Sequence, residues 1–140
     1  MTEMIIRCID CGEQAEPLAW RCGNCGGVLD FEAYPAFDPD TIVSHDISLW
    51  RYADWLSLDK RVTLGEGLTP LVQTTVDDQP IWAKLEYLNP TGSYKDRGTV
   101  TMMNHIAAHA VHEVVEDSSG NAGASVAAYS SALGIAARIY

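Results

Sequence analysis

Lys95 closes the run Asn89-Pro90-Thr91-Gly92-Ser93-Tyr94-Lys95, and four cysteines stand as Cys8-Ile-Asp-Cys11 and Cys22-Gly-Asn-Cys25. The first arrangement suits an amine that attacks carbonyl carbon, and the second suits a metal ion. Asn-Pro and Thr-Gly are turn dipeptides and Ser93 is a good helix N-cap. Val100, Met103, Ala107, Ala110 and Val111 follow at the spacing of one helical face. This predicts Lys95 in the first turn of a helix reaching about Ala110. Exposed N–H groups there carry roughly half a positive charge, which disfavours an ammonium and favours the neutral amine that forms Schiff bases. A solvated surface lysine is the alternative use of such a residue.

A second loop, Asp117-Ser118-Ser119-Gly120-Asn121-Ala122-Gly123, follows the apolar pair Val114-Val115 and opens a helix expected from Asn121 to Leu133. Free N–H groups at a helix start, with the Ser118 and Ser119 hydroxyls, form a seat for a carboxylate, and the Asn121 amide can both donate and accept. An ordinary capping serine among loop residues explains the same types equally well.

The two Cys-x-x-Cys pairs are separated by ten residues, the spacing of a zinc ribbon. Gly12, Gly23, Gly26 and Gly27 supply backbone freedom beside the sulfurs. A closed four-thiolate site has a structural role. Two disulfides, an iron site of rubredoxin type and a redox pair are the alternatives. Disulfides fit least, because nothing at the N-terminus reads as a secretory signal. Short strands are expected from about Met4 to Arg7 and from Ala19 to Arg21.

A net charge of -10 repels a phosphate backbone, and Arg7 and Arg21 are offset by Glu3, Asp10, Glu13, Glu16 and Asp30. Nucleic acid is therefore not an expected partner. At 47% hydrophobic and 20% charged the composition is that of a globular protein. No apolar run is long enough to span a bilayer, so no membrane is expected and the cytoplasm is the expected compartment. Pro35, Pro39 and several acids mark a connector. An amphipathic helix is expected around Leu49 to Leu56, where Trp50, Tyr52 and Trp55 fit burial better than ligand stacking. From Val62 onward the pattern alternates, with a strand over Ile81 to Leu88, the Lys95 helix, a strand at Val114-Val115, the Asn121 helix and a strand from Ile135. Such alternation predicts a parallel sheet with helices on its faces, ligands binding beyond the strand ends. Ala122, Ala124, Ala127 and Ala128 would let the second helix approach that sheet closely. Asp96 reads as helix-start electrostatics and Arg97 as an ion-pair partner. His105 and His109, four apart, read as a partly exposed helix face.

Together, Gly65-Glu66-Gly67-Leu68-Thr69-Pro70-Leu71, Lys84-Leu85-Glu86, the Asn89 to Gly98 run and the Ser118 to Gly123 loop resemble the pyridoxal-phosphate enzymes of the tryptophan-synthase-β type, and most closely their threonine-synthase-like group. The resemblance covers most of the chain. It implies an α/β fold, a zinc ribbon over 1–30, a linker and amphipathic helix over 31–60, and the first part of a parallel-sheet catalytic domain over 61–140, truncated. Pyridoxal 5'-phosphate would be held by Lys95, with Asn121 on the ring hydroxyl oxygen, while Ser118, Ser119, Asn121 and Ala122 grip the carboxylate of an amino-acid substrate. Zn2+ would be structural on Cys8, Cys11, Cys22 and Cys25. Some relatives of this kind carry such a ribbon ahead of the catalytic domain. Tyr94 and Ala122 depart mildly from the common pattern, where Phe and Thr often stand. The implied reaction is conversion of O-phosphohomoserine and water to threonine and phosphate. Dehydration of serine or threonine and replacement at the β-carbon are the other reactions of the family. A zinc-ribbon interaction module without catalysis is the contrasting use. The family's phosphate cup and pyridine-nitrogen partner lie beyond Tyr140, so the stretch is expected to be part of a longer or split polypeptide, inactive alone, completed by a C-terminal segment or a second copy.

Overall fold

Two turns of one form organise the first part of the chain. Cys8 O accepts from Gly12 N at 3.0 Å, and Cys22 O accepts from Gly26 N at 2.9 Å. Both glycines have φ +75, a left-handed conformation that strains any side chain. The first turn follows strand β1 (Ile6–Cys8), which pairs antiparallel with β2 (Leu29–Phe31), Cys8 lying opposite Leu29. Ala19 to Arg21 is not the expected strand. Ala19 N bonds to Glu16 O and closes a turn over Pro17, so the partner of β1 comes from beyond the second cysteine turn. In this computed structural model residues 5–34 and 36–140 are described; Met4 of the first expected strand and Pro35 of the connector lie outside them. The chain divides into two compact units, one ending at Thr41 and one running from Ile42 to Tyr140.

The second unit has the apolar core. Trp50, Val62, Val100, Met103 and Tyr129 are buried together, with Leu49, Ala53, Ile106, Val114, Leu133 and Ile135 packed against them. Trp50 arrives on the expected amphipathic segment, a 3-10 turn over Leu49–Tyr52 that continues as α1 (Ala53–Leu56). Ser48 starts it, its hydroxyl accepting from Trp50 N at 3.2 Å while Asp46 accepts from Ser48 N at 2.8 Å. Asn104 is fully buried and binds Val62 on both sides: Oδ1 accepts from Val62 N and Nδ2 donates to Val62 O, each at 3.0 Å. One amide thereby fixes the approach to the rest of the unit.

The segment expected as a strand over Ile81 to Leu88 is shorter and differently paired. β3 (Leu71–Val76) and β4 (Gln79–Lys84) form an antiparallel hairpin, and Glu86–Leu88 is a 3-10 turn. Asp77 and Asp78 both have positive φ (48 and 60), the geometry of a two-residue turn whose twist matches that of paired strands. Helix α2 (Lys95–Ala108), strand β5 (Glu113–Glu116), helix α3 (Asn121–Leu133) and strand β6 (Ala136–Ile139) follow in the expected order. β5 and β6 are parallel, Val114 opposite Ala137, joined by α3 as the crossover. Gly134 ends α3 in the left-handed conformation (φ 69), its N–H serving Ser130 O and Ser131 O. Among the described residues no helix is long and apolar enough to cross a membrane.

Candidate functional site

The turn that presents Lys95 is held by side chains rather than by strand pairing. Asn89 is buried; its Nδ2 donates to Glu86 O at 2.8 Å and to Glu86 Oε2 at 3.2 Å, and its Oδ1 accepts from Gly67 N at 3.3 Å. Gly92 N bonds to Asn89 O at 2.8 Å. Ser93 is buried and its hydroxyl accepts from Lys95 N at 3.3 Å, serving the first N–H of α2 although Tyr94 occupies the cap position. Lys95 is half-buried, with Nζ 5.0 Å from the centroid of the Tyr94 ring.

Asp96 corrects the expectation that helix-start electrostatics explains it. The residue is 0% exposed, and its carboxylate accepts from Thr91 N at 2.7 Å, from the Thr91 hydroxyl, and from the Ser125 hydroxyl at 2.6 Å. A fully buried carboxylate is tolerable only with such donors. The Ser125 bond joins the first turn of α2 to the second turn of α3. Lys95 and Asn121 therefore open two helices that are fastened to one another.

Arg97 makes the expected ion pair, bidentate to Glu86 at 2.7 and 2.8 Å, and adds bonds to Gly67 O and the Thr69 hydroxyl. Arg97, foremost, holds the Glu86 carboxyl at about 2, against an ordinary 4.5. The folded chain gives up this proton more readily than the unfolded one. Its contribution to stability is therefore complete above about 4.5 and lost as the pH falls toward about 2. Glu86→Gln is expected to lower stability at neutral pH and to match the parent near pH 2. Urea unfolding across that range measures it, and a gap independent of pH would refute the pair's contribution. Behind this pair Glu66, fully buried, accepts from the Tyr129 hydroxyl at 2.6 Å. Burial first, and then that bond, raise the Tyr129 hydroxyl well above its ordinary range and keep it a donor.

In the loop before α3 Ser118 is half-buried and Ser119 exposed; Asn121, itself exposed, and Ala122 are the first two residues of the helix. Ser118 Oγ accepts from Gly120 N at 3.4 Å. The close approach expected of the alanines belongs to Gly123 instead, whereas Ala124 and Ala127 face outward. A Cβ at residue 123 would lie 1.8 Å from Ser118 O and 2.7 Å from Ile139 Cγ2. The N–H groups that open α3 lack intrahelical acceptors by geometry. Thr91, Asp96 and Ser125 were not expected to bind one another. The only hint is a serine interrupting an alanine-rich helix.

The four cysteine Sγ atoms lie within 4.8 Å of one another, with Cys8 to Cys25 at 3.4 Å, Cys11 to Cys25 at 3.5 Å and Cys11 to Cys22 at 3.6 Å. Bonds of about 2.3 Å to a tetrahedral zinc require sulfurs about 3.8 Å apart, close to these spacings. N–H groups of Cys25 and Asn24 lower the Cys22 thiol to about 7. Cys25 is pushed up to about 12, overcoming the Gly27 N–H, because Cys8 and Cys11 crowd it. A group of four sulfurs at this spacing could hold a metal ion. His109 Nδ1 lies 2.8 Å from His105 O. A hollow of about 270 Å³ lined by Ser48, Arg51, Gly67, Lys84, Glu86 and Arg97 contains none of the expected site residues.

The family profile of pyridoxal-phosphate dependent enzymes matches residues 62–140. Threonine synthase of Methanocaldococcus jannaschii is 33% identical over 146 residues, a match covering 94% of this chain and 36% of that protein. Threonine synthase of Methanosarcina acetivorans is 30% identical, covering 93% of this chain and 35% of its own length. That of Mycobacterium tuberculosis is 46% identical over 78 residues, 53% of this chain. The two archaeal matches leave only a few residues of this chain outside them, so they run through the four-cysteine unit. The chain spans about a third of the length of these archaeal relatives.

Proposed function

Because the chain belongs to the pyridoxal-phosphate dependent enzymes, we propose that it is the lysine-bearing part of a threonine-synthase-like lyase converting O-phosphohomoserine and water to threonine and phosphate. The observation that carries this reading is the fastening of two helix starts, one opened by Lys95 and the other by Asn121, through the 2.6 Å bond from Ser125 to Asp96. The similarity to threonine synthases supports the choice of reaction.

The donor types fit the carbonyl end of the cofactor: a half-buried amine at the start of α2, and hydroxyls, an amide and free N–H groups at the start of α3. Lys95 Nζ would hold the cofactor through its aldehyde. Nζ would also remove the proton from the substrate Cα and carry protons to its neighbouring carbons. Bound pyridoxal phosphate supplies the electron sink for the carbon that loses its proton. Asn121 would orient the ring through its hydroxyl oxygen. Ser118, Ser119 and the N–H groups near Asn121 and Ala122 seat the substrate carboxylate. The four cysteines would hold Zn2+ with four thiolates, a closed set that gives the ion a structural role. Residues 1–30 form the ribbon, 31–60 the connector and 61–140 the lysine-bearing part, working in the cytoplasm with further polypeptide covering the open strands.

The native polypeptide that contains this chain, loaded with pyridoxal phosphate, is expected to release phosphate from O-phosphohomoserine and to leave serine unchanged. Serine dehydration without phosphate release would move the chain to the dehydratases of the same family.

A further inference from the structure

We infer that Asp96 is a positioning residue, which sets the bearing of the Lys95 amine relative to the Asn121 seat; this rests on the function proposed above. Successive helical residues point about 100° apart, so drawing Asp96 fully inward fixes the rotation of α2 about its axis and with it the direction of Lys95. Two of the three donors to Asp96 come from Thr91, in the turn that delivers the lysine, and the third from Ser125. Ser125 lies on the same face of α3 as Asn121, one turn further on, about 6 Å along the axis. One carboxylate thus holds the lysine turn, the start of α2 and the start of α3 in a single register. Nothing in this arrangement needs Asp96 to touch a substrate.

The chain has only three lysines, Lys60, Lys84 and Lys95, which gives the test an internal reference. Lys60 is half-exposed in a surface pair with Asp46, away from this network. The native polypeptide that contains this chain is incubated with pyridoxal 5'-phosphate, reduced with borohydride to fix the label as a secondary amine, and mapped by peptide mass. Labelling of the parent is expected to favour Lys95. Asp96→Ala is expected to cut the Lys95 to Lys60 ratio by about tenfold, the factor that loss of one charged hydrogen bond implies. Asp96→Asn is expected to stay within about twofold of the parent, because the Thr91 and Ser125 hydroxyls can turn to accept from the amide. Should Asp96→Ala fail to fold, Thr91→Ala and Ser125→Ala each remove part of the network. Their effects on the ratio are expected to be non-additive in the double variant.

A folded Asp96→Ala that labels Lys95 like the parent would overturn the inference and leave the proposed function standing. So would additive effects in the Thr91 and Ser125 pair. A parent that shows no preference for Lys95 would end the proposed function and the inference with it.

Discussion

Lys95→Ala is expected to lower turnover by at least about a thousandfold, because it removes both the covalent anchor and a proton carrier. The same change should leave the melting temperature unchanged or slightly raised. A cation in the first turn opposes the helix dipole, so its removal relieves an unfavourable interaction of a few tenths to about 1 kcal/mol. Lys95→Arg separates charge from nucleophilicity: it keeps the cation, cannot form the linkage, and should be as inactive as alanine. Lys60→Ala serves as the surface control. Phosphate release and thermal melting on the same preparations measure both effects. A variant at residue 95 that kept a tenth of the parent rate would remove this amine from the mechanism.

Withdrawal of metal is expected to unfold the four-cysteine unit while the unit from Ile42 keeps its own transition. Among the described residues up to Thr41 the only buried apolar side chains are Cys8 and Cys22. Trp20, Ile9 and Val28 are exposed, so no apolar core is present to hold the segment without the ion. Binding of zinc to such a unit is worth on the order of 10 kcal/mol, more than a few short hydrogen-bonded turns can replace. Cys22→Ser should act like a chelator. Metal analysis of reduced protein, with circular dichroism before and after chelation, checks this. An unchanged spectrum after complete metal removal would falsify the structural role.

Local features were legible from residue order. The boundaries of α3 match the expected Asn121 to Leu133, with Gly134 closing a run of small and apolar residues, and the start of α2 matches because turn dipeptides precede an apolar stripe; α2 ends at Ala108 rather than about Ala110. The cysteine cluster followed from spacing alone, although zinc against iron did not. The hairpin of β3 and β4 was missed because every strand position but Ala83 is exposed, with no burial alternation, and because its turn is Asp-Asp rather than Asn-Gly. The polar interior was illegible for a different reason. Asp96 finds Ser125 at a separation of 29 residues, Asn104 finds Val62 at 42, and Tyr129 finds Glu66 at 63. Residue type alone marks such groups for the surface, and only the fold supplies the partners that let them be buried.

Parallel strands are normally shielded on both sides, yet Val115 is 64% exposed on β5 and the hairpin of β3 and β4 shows Leu71, Val76 and Trp82 to water. Unpaired backbone along such rims is a template on which another copy can stack, and each added copy offers the next one the same rim. At a net charge of -10 every copy repels its neighbours, and this repulsion is the force that opposes stacking. Salt shortens its reach to about 3 Å at 1 M, less than the gap between adjacent strands, so ionic strength sets how closely two molecules can come. Colloidal behaviour and chain architecture are, in this protein, one problem.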